Sequence, residues 1–263
     1  MPRQTGLEHL TLLGVAPPAL VAAAAGAGFD AVGLRIAPVT NGERPWPMSP
    51  GSPMLAETTR RCADTGVSVL DVEAVRLAPQ APDYGPVLEA AAELGALFVN
   101  AICEDPEPSR RSDRFAELAE AAGPYGIRPV IEFMAYRSVR TLADAVAIAA
   151  PAGGGILVDA LHVQRCGVSM TALAGVDPAL IGYVQLCDAP LAAPDDEIAE
   201  ARSGRLLPGE GSLPLRDLLR ALPDGIPVAV EAPRAGAPDS PPQFAARARR
   251  ALDSVLAQAK ERP

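Results

Sequence analysis

Short apolar runs alternate with longer amphipathic or alanine-rich segments along the whole chain. The runs are almost continuously apolar, which indicates strands that are buried on both faces of a sheet. Eight such runs predict strands: HLTLLG, FDAVGLRI, VSVLDVEAVRL, ALFVNAI, RPVIEFM, GILVDAL, GYVQLC and PVAVEA. The segments between them predict helices that begin near Pro17, Pro53, Tyr84, Ser112, Val139, Ser169 and Leu215, and a last helix from Pro242 to about Ala259.

The regular alternation of strands and helices predicts a parallel sheet. Eight such units in 263 residues predict an α/β fold, a single (β/α)8 TIM barrel that spans residues 1–263 as one domain. A doubly wound open sheet is the alternative. It is disfavoured because LLGVAPPAL, at the end of the first predicted strand, lacks the GxGxxG fingerprint of such sheets.

Three loops stand out at the carboxyl ends of predicted strands. Residues 38–53 follow the second strand and are rich in Pro, Gly and Ser, and residues 188–214 follow the seventh and are charged and glycine-rich. A further polar loop, 236–242, follows the eighth strand. Barrel active sites are built from the loops at this end, so we expect function there.

Composition narrows the function classes. Hydrophobic residues make up 49% of the chain, enough for a large core, and the net charge of −9 with no basic stripe argues against nucleic-acid and membrane partners. Lys260 is the only lysine and is near the C-terminus, which disfavours a Schiff-base enzyme.

The cysteines form no CxxC motif, and we expect free thiols in the cytoplasm. Residues 10–25 resemble a signal peptide, but Pro17 and Pro18 interrupt them and favour a strand, a loop and a helix.

Polar oxygen donors end four successive predicted strands. They are Glu132 in PVIEF, Asp159 in GILVD, Gln185 in GYVQL and Glu231 in PVAVE. In a barrel these ends converge, and three carboxylates held together repel one another unless a cation joins them. We therefore predict a metal site. Its all-oxygen donors favour Mg²⁺ or Mn²⁺ over Zn²⁺.

Other candidate site residues surround this set. His162 follows Asp159 by three positions and is placed to transfer a proton. The second histidine, His9, is expected in the core of the first strand. Arg202 and Arg205, in the long seventh loop, are predicted to bind an anionic group of the substrate. Glu73 and Arg76 end the third strand, and Arg76 is preferred over Arg35 of the second strand as a substrate contact.

The segments PVIEF, LVDALHVQRCG, YVQLCDAP, RLLPGEGSLPL and VAVEAPR resemble the sugar phosphate isomerase/epimerase superfamily, whose fold is the xylose isomerase-like TIM barrel. The resemblance implies a divalent metal held by Glu132, Asp159, Gln185 and Glu231. Most members have histidine at the third of these positions. The glutamine is similar to the variant in bacterial 3-dehydroshikimate dehydratases, in which the residue matching His162 is the catalytic base. In sugar epimerases the two glutamates act as the acid/base pair instead.

These observations leave three functional hypotheses. The leading one is a metal-dependent isomerase or epimerase that removes a proton next to the carbonyl of a sugar, a sugar phosphate or a related polyhydroxy compound. The alternatives are a 3-dehydroshikimate dehydratase-like lyase and a non-catalytic ligand-binding barrel. An apurinic endonuclease of the same superfamily is disfavoured, because its metal cluster needs many histidines and this chain has two. The resemblance also implies a homodimer or homotetramer.

Overall fold

Eight parallel strands close into a barrel in chain order in the computed structural model, which describes residues 3–40, 43, 45–236 and 239–261. Thr5 and Leu7 of the first strand pair with Val228 and Val230 of the eighth, and this pairing closes the barrel. The predicted (β/α)8 fold is therefore confirmed. The strands are β1 Thr5–Leu7, β2 Ala31–Arg35, β3 Ser68–Leu77, β4 Phe98–Cys103, β5 Arg128–Glu132, β6 Gly155–Asp159, β7 Ile181–Leu186 and β8 Val228–Val230.

Helices cover the outside of the barrel, and two short ones, Ala160–Arg165 and Glu197–Ser203, lie in loops at the carboxyl ends of the strands. The described residues also form three 3-10 helices: His9–Leu12, Gly123–Tyr125 and Pro178–Leu180. The α-helices are α1 Pro17–Ala27, α2 Pro53–Thr65, α3 Gly85–Leu94, α4 Pro108–Ala122, α5 Leu142–Ala149, α6 Ala160–Arg165, α7 Met170–Ala174, α8 Glu197–Ser203, α9 Leu215–Ala221 and α10 Pro241–Lys260. No helix in the described ranges combines the length and the apolar character needed to cross a membrane.

Several predicted boundaries were wrong, and local chemistry explains why. The first strand is Thr5–Leu7, whereas most of HLTLLG forms a 3-10 turn after it. Helix α4 begins four residues before Ser112, because Pro108 is suited to a first helical turn. Helix α5 begins at Leu142 rather than near Val139, because the Thr141 side chain caps it by accepting from the Asp144 amide. Strand β6 ends at Asp159 instead of continuing to Leu161.

Apolar residues fill the lower part of the barrel interior, and polar residues fill the upper part. The small interior cluster consists of Ala31, Leu70, Val130, Leu157, Tyr183 and Ala229. A much larger apolar core lies between the sheet and the helices. Above the interior cluster, buried acids replace apolar side chains toward the carboxyl ends of the strands. This division creates a polar cavity at one end of an apolar scaffold.

Candidate functional site

A cavity of about 420 Å³ opens at the carboxyl ends of the strands. Residues of β2 to β5, and of the segments that follow β1, β2 and β5 to β8, line its wall. Asp159 and Gln185 lie just beneath this wall and are fully buried. Among the residues lining the cavity are Glu73, Glu132, His162, Arg202, Arg205 and Glu231.

The four oxygen donors come from neighbouring strands at nearly the same depth. Glu132 and Asp159 are the last residues of β5 and β6, and Glu231 directly follows β8. In the strand register, Asp159 pairs with Gln185, and Gln185 pairs with Ala229. Ligand atoms of Glu132, Asp159 and His162 lie within 4.8 Å of one another. The structure thus brings Glu132 and Asp159 together with His162, while Glu231 and Gln185 are placed at the same end of the barrel by their strands.

Arg205 inserts its guanidinium between two of these acids. Its Nη1 donates to Asp159 Oδ2 at 2.5 Å and lies 2.9 Å from Glu231 Oε2, and the residue is only 2% exposed. The backbone places it there, since its amide donates to Pro233 O at 3.1 Å. Burial acts to raise the pKa of Asp159, but the attraction of Arg205 and His162 outweighs burial and holds that pKa below its ordinary value.

Gln185 has a buried carboxamide without a partner. The residue is 0% exposed, and neither its Oε1 nor its Nε2 makes a hydrogen bond among the described residues. An unsatisfied buried polar group costs about 1–3 kcal/mol, so such a group calls for a ligand. A carboxamide oxygen beside three carboxylates is a donor set that suits a hard divalent cation. The residues present thus fit a metal ion.

Glu132 is strongly perturbed in this setting. Its Oε2 accepts from Asn100 Nδ2 at 3.3 Å, and its Oε1 lies 3.5 Å from His162 Nε2. Burial raises the pKa of Glu132 to about 8, with repulsion from Asp159 adding to the rise and Arg205 opposing it. Without a cation, this carboxyl therefore retains its proton in most molecules at neutral pH.

His162 carries a neutral imidazole into the cavity. It lies in the first turn of α6, where its backbone amide donates to Asp159 Oδ1 at 3.0 Å. Burial lowers the pKa of His162 to about 4. The negative charge of Asp159 acts to raise this pKa, and the positive charges of Arg205 and Arg137 act to lower it. Its Nδ1 has no partner within the described residues. The ring is therefore uncharged at neutral pH, and its buried Nδ1 has unused hydrogen-bonding capacity.

Tyr136 is a cavity residue that the sequence reasoning missed. Its ring meets the His162 ring edge to face, with centroids 5.6 Å apart. The phenol is near the acids, and it also lines the cavity wall. The segment EFMAY, which places an aromatic residue just after the Glu132 strand end, was the available signal.

The structure does not bring Arg76 into this cavity. Its Nε and Nη2 donate to Glu104 Oε2 at 3.0 and 2.5 Å, outside the cavity wall. Arg35 takes the inner position instead and donates to Glu73 Oε2 at 2.9 and 2.7 Å. Successive strand residues point to opposite faces, so Arg76, three positions after Glu73, points away from it. Arg202 is exposed at the rim, with no ion pair among the described residues.

His9 is held by the backbone, away from the four donors. Its Nε2 lies 2.8 Å from Val15 O, and its Nδ1 accepts from the Arg35 amide at 3.1 Å. Both ring nitrogens therefore have partners, as expected for a structural histidine, although it belongs to the 3-10 turn and not to the first strand.

A family model described as a xylose isomerase-like TIM barrel matches residues 21–255. The chain belongs to this family. The match confirms the superfamily that the strand-end segments resemble. It covers all four oxygen donors of this xylose isomerase-like barrel, together with His162 and Arg205.

Similar proteins include a dehydratase and an epimerase. A curated relative from Pseudomonas aeruginosa, named 3-dehydroshikimate dehydratase, is 30% identical over 238 residues, which are 82% of this chain but only 35% of that protein. A solved fusion of a xylose isomerase-like TIM barrel with 4-hydroxyphenylpyruvate dioxygenase has a TM-score of 0.82 and 22% identity, covering 99% of this chain and 44% of the fusion. A D-psicose 3-epimerase solved with D-fructose has a TM-score of 0.69 and 16% identity, covering 95% and 97%. Both solved structures support the fold alone.

Proposed function

We propose that this barrel is a metal-dependent lyase that dehydrates a hydroxylated keto acid of the 3-dehydroshikimate type. Two features support the proposal: the Gln185 carboxamide is buried without a partner within the described residues, and the His162 imidazole is neutral. A glutamine at the third donor position leaves this histidine free for proton transfer. The curated dehydratase relative supports the same choice, and the matched region covers 35% of that relative's length.

Glu132, Asp159, Gln185 and Glu231 would hold the cation. All four are buried, and their donor atoms are oxygens, which favours Mg²⁺ or Mn²⁺. When bound, a divalent cation polarises a substrate carbonyl and stabilises negative charge on its oxygen. Arg205 keeps Asp159 ionised and fixes the Glu231 side chain, so that the site is preorganised.

His162 is the proposed base. Its neutral imidazole removes the proton on the carbon next to the carbonyl; the electron pair of the C–H bond forms a C=C bond, and the π pair of the carbonyl moves to its oxygen. When the carbonyl re-forms, the C=C pair shifts toward the β carbon, the bond from the β carbon to its hydroxyl breaks, and the hydroxyl leaves as water with the proton from the imidazolium. Glu132 is within 3.5 Å of the ring and stabilises the imidazolium that forms. With 3-dehydroshikimate, loss of one water gives 3,4-dihydroxybenzoate.

The direct experiment is to incubate the protein with 3-dehydroshikimate and Mg²⁺ or Mn²⁺ and to follow the absorbance of the aromatic product. We expect product with the cation and none after chelation. If neither Mg²⁺ nor Mn²⁺ gives product, the dehydratase proposal is rejected.

Arg202 is the proposed contact for the substrate carboxylate. We expect Arg202→Gln to raise KM about 10–100-fold, because a charge-assisted hydrogen bond contributes about 1.5–3 kcal/mol. Arg76→Gln is the matched control, since that guanidinium is paired with Glu104 outside the cavity, and we expect its KM to equal that of the wild type. Steady-state kinetics give KM for both variants. Equal KM values in the two variants would show that Arg202 does not bind the substrate.

An isomerase or epimerase acting on a polyhydroxy ketose is the second candidate. The observation in its favour is that Glu132 and Glu231 both line the cavity. Glu132 ends β5 and Glu231 directly follows β8, so Asp159 and Gln185 of β6 and β7 lie between them in strand order. Two such carboxyl groups suit proton removal on one face and return on the other. Exchange of the α proton of D-fructose or D-psicose in D2O tests it, and no exchange across a ketose panel would reject it.

The stability of the metal-free protein is expected to fall as the pH rises from 6.5 to 8. Glu132 has a pKa raised to about 8 against an ordinary 4.5, so the folded state holds a proton that the unfolded state releases. His162 has a lowered pKa and acts oppositely, but only below its ordinary value of 6.5. Saturating Mn²⁺ should remove this slope, because the cation stabilises ionised Glu132. Urea unfolding at pH 6.5 and pH 8 measures the change in stability. A rise in stability between these pH values would contradict the raised pKa of Glu132.

A further inference from the structure

A second group of buried acids lies on the β1 and β3 side of the barrel. Glu8, Asp71 and Glu73 offer ligand oxygens that all lie within 4.8 Å of one another, and each residue is at most 1% exposed. Only Glu73 Oε2 has a hydrogen-bond partner, the Arg35 guanidinium. Both oxygens of Glu8, both of Asp71 and Oε1 of Glu73 have none. This acidic group, which we name the floor cluster, lies outside the predicted metal site.

The buried acids of the barrel interior outnumber the guanidinium groups that contact them. Two guanidinium groups, Arg35 and Arg205, compensate the acids that they contact. The buried acids of the two sites number six, and neither guanidinium contacts Glu8 or Asp71. An uncompensated buried ion costs several kcal/mol, so the floor cluster must hold either protons or a cation. These six acids are Glu8, Asp71, Glu73, Glu132, Asp159 and Glu231.

Two uncharged residues shape the space around the floor cluster. A side chain at Gly33 would collide with Glu8 Oε2 and Asp71 Oδ1, so glycine is what allows these carboxylates to approach β2. Tyr183 faces Asp71 and Glu8 from the opposite wall, and its side chain is 0% exposed. Its hydroxyl has no hydrogen-bond partner within the described residues. A buried phenol that lies near Asp71, Glu8 and Glu73 and makes no hydrogen bond within the described residues points to a ligand between them.

We propose that Glu8, Asp71 and Glu73 bind a second hard divalent cation, faced by the Tyr183 hydroxyl. All donors are oxygens, which suits Mg²⁺, Mn²⁺ or Ca²⁺. Because Glu73 also lines the substrate cavity and orients Arg35, the second ion would stiffen the wall opposite the catalytic donors. The proposal does not depend on the reaction that the protein catalyses.

Metal counting tests the floor site without any substrate. The chelator-stripped protein is titrated with Mn²⁺, and bound ions are counted from the loss of the free Mn²⁺ electron paramagnetic resonance signal. We expect two ions per wild-type chain, one in Asp71→Asn and one in Asp159→Asn. Asp105→Asn is the matched control, because Asp105 is equally buried but is paired with Arg110; it should keep two.

Several outcomes would overturn the second site. One ion in the wild type at saturation would do so by itself, even if Asp71→Asn failed to fold, and so would two ions in Asp71→Asn. Gly33→Ala is a second probe, since its methyl group enters the cluster, and retention of two ions there would also count against the site. An infrared band of protonated carboxyl groups that persists in the Mn²⁺-loaded wild type but is absent from Asp71→Asn would show protons in place of the ion. Loss of dehydratase activity alone would affect only the proposed function.

Discussion

Replacing Arg205 with methionine is expected to lower the free energy of unfolding of the metal-free protein by about 3–5 kcal/mol, the usual cost of breaking a buried ion pair. The guanidinium contacts both Asp159 and Glu231, and all three groups are buried. Its removal leaves these two acids facing each other beside Glu132. Mn²⁺ should restore most of the loss, because an ion at the four donors supplies the missing positive charge. Urea unfolding with and without Mn²⁺ measures both effects.

Arg165→Met is the matched control for this prediction. Arg165 and Glu200 form another buried pair, with side chains 3% and 7% exposed, in the loops around the same mouth. We expect its loss to destabilise the protein as well, but Mn²⁺ should stabilise this variant only as much as the wild type. An equal gain from Mn²⁺ in both variants would mean that Arg205 does not compensate the metal donors.

Replacing His162 with asparagine is expected to lower kcat/KM for dehydration by about 10²–10⁴-fold, the usual contribution of a positioned base. The contact that caps α6 is made by the backbone amide of residue 162, so it survives the substitution. Metal content and thermal unfolding should therefore remain close to wild type. Kinetics together with Mn²⁺ counting separate the two roles of this position. Unchanged kcat/KM would remove His162 from proton transfer, and loss of an ion would make it a metal ligand.

The sequence was informative wherever strand geometry alone decides position. Apolar runs located β2 to β8, and the parallel order then placed Glu132, Asp159, Gln185 and Glu231 at one end of the barrel. The first strand was misplaced because HLTLLG is apolar enough for a strand, and only its tertiary setting turns it into a 3-10 helix.

Features that depend on loop paths and on strand irregularity could not be predicted. Arg205 reaches Asp159 because the loop after β7 folds back through an antiparallel bridge between Gly204 and Arg234, which no local pattern reveals. The floor cluster depends on the register shift between Val32 and Gly33, which aligns Gly33 with Asp71. Arg35 lines the cavity and Arg76 does not, although Arg76 was the preferred substrate contact. The two arginines hold similar positions at their strand ends, and only the face of the strand distinguishes them.

Anomalous diffraction from crystals soaked in Mn²⁺ tests whether the four strand-end oxygen donors hold a divalent cation. We predict a peak about 2.0–2.2 Å from oxygens of Glu132, Asp159, Gln185 and Glu231, with the Gln185 carboxamide oxygen turned toward it. A map with no peak among these residues, and with Gln185 still lacking any partner, would show that these donors do not form a metal site.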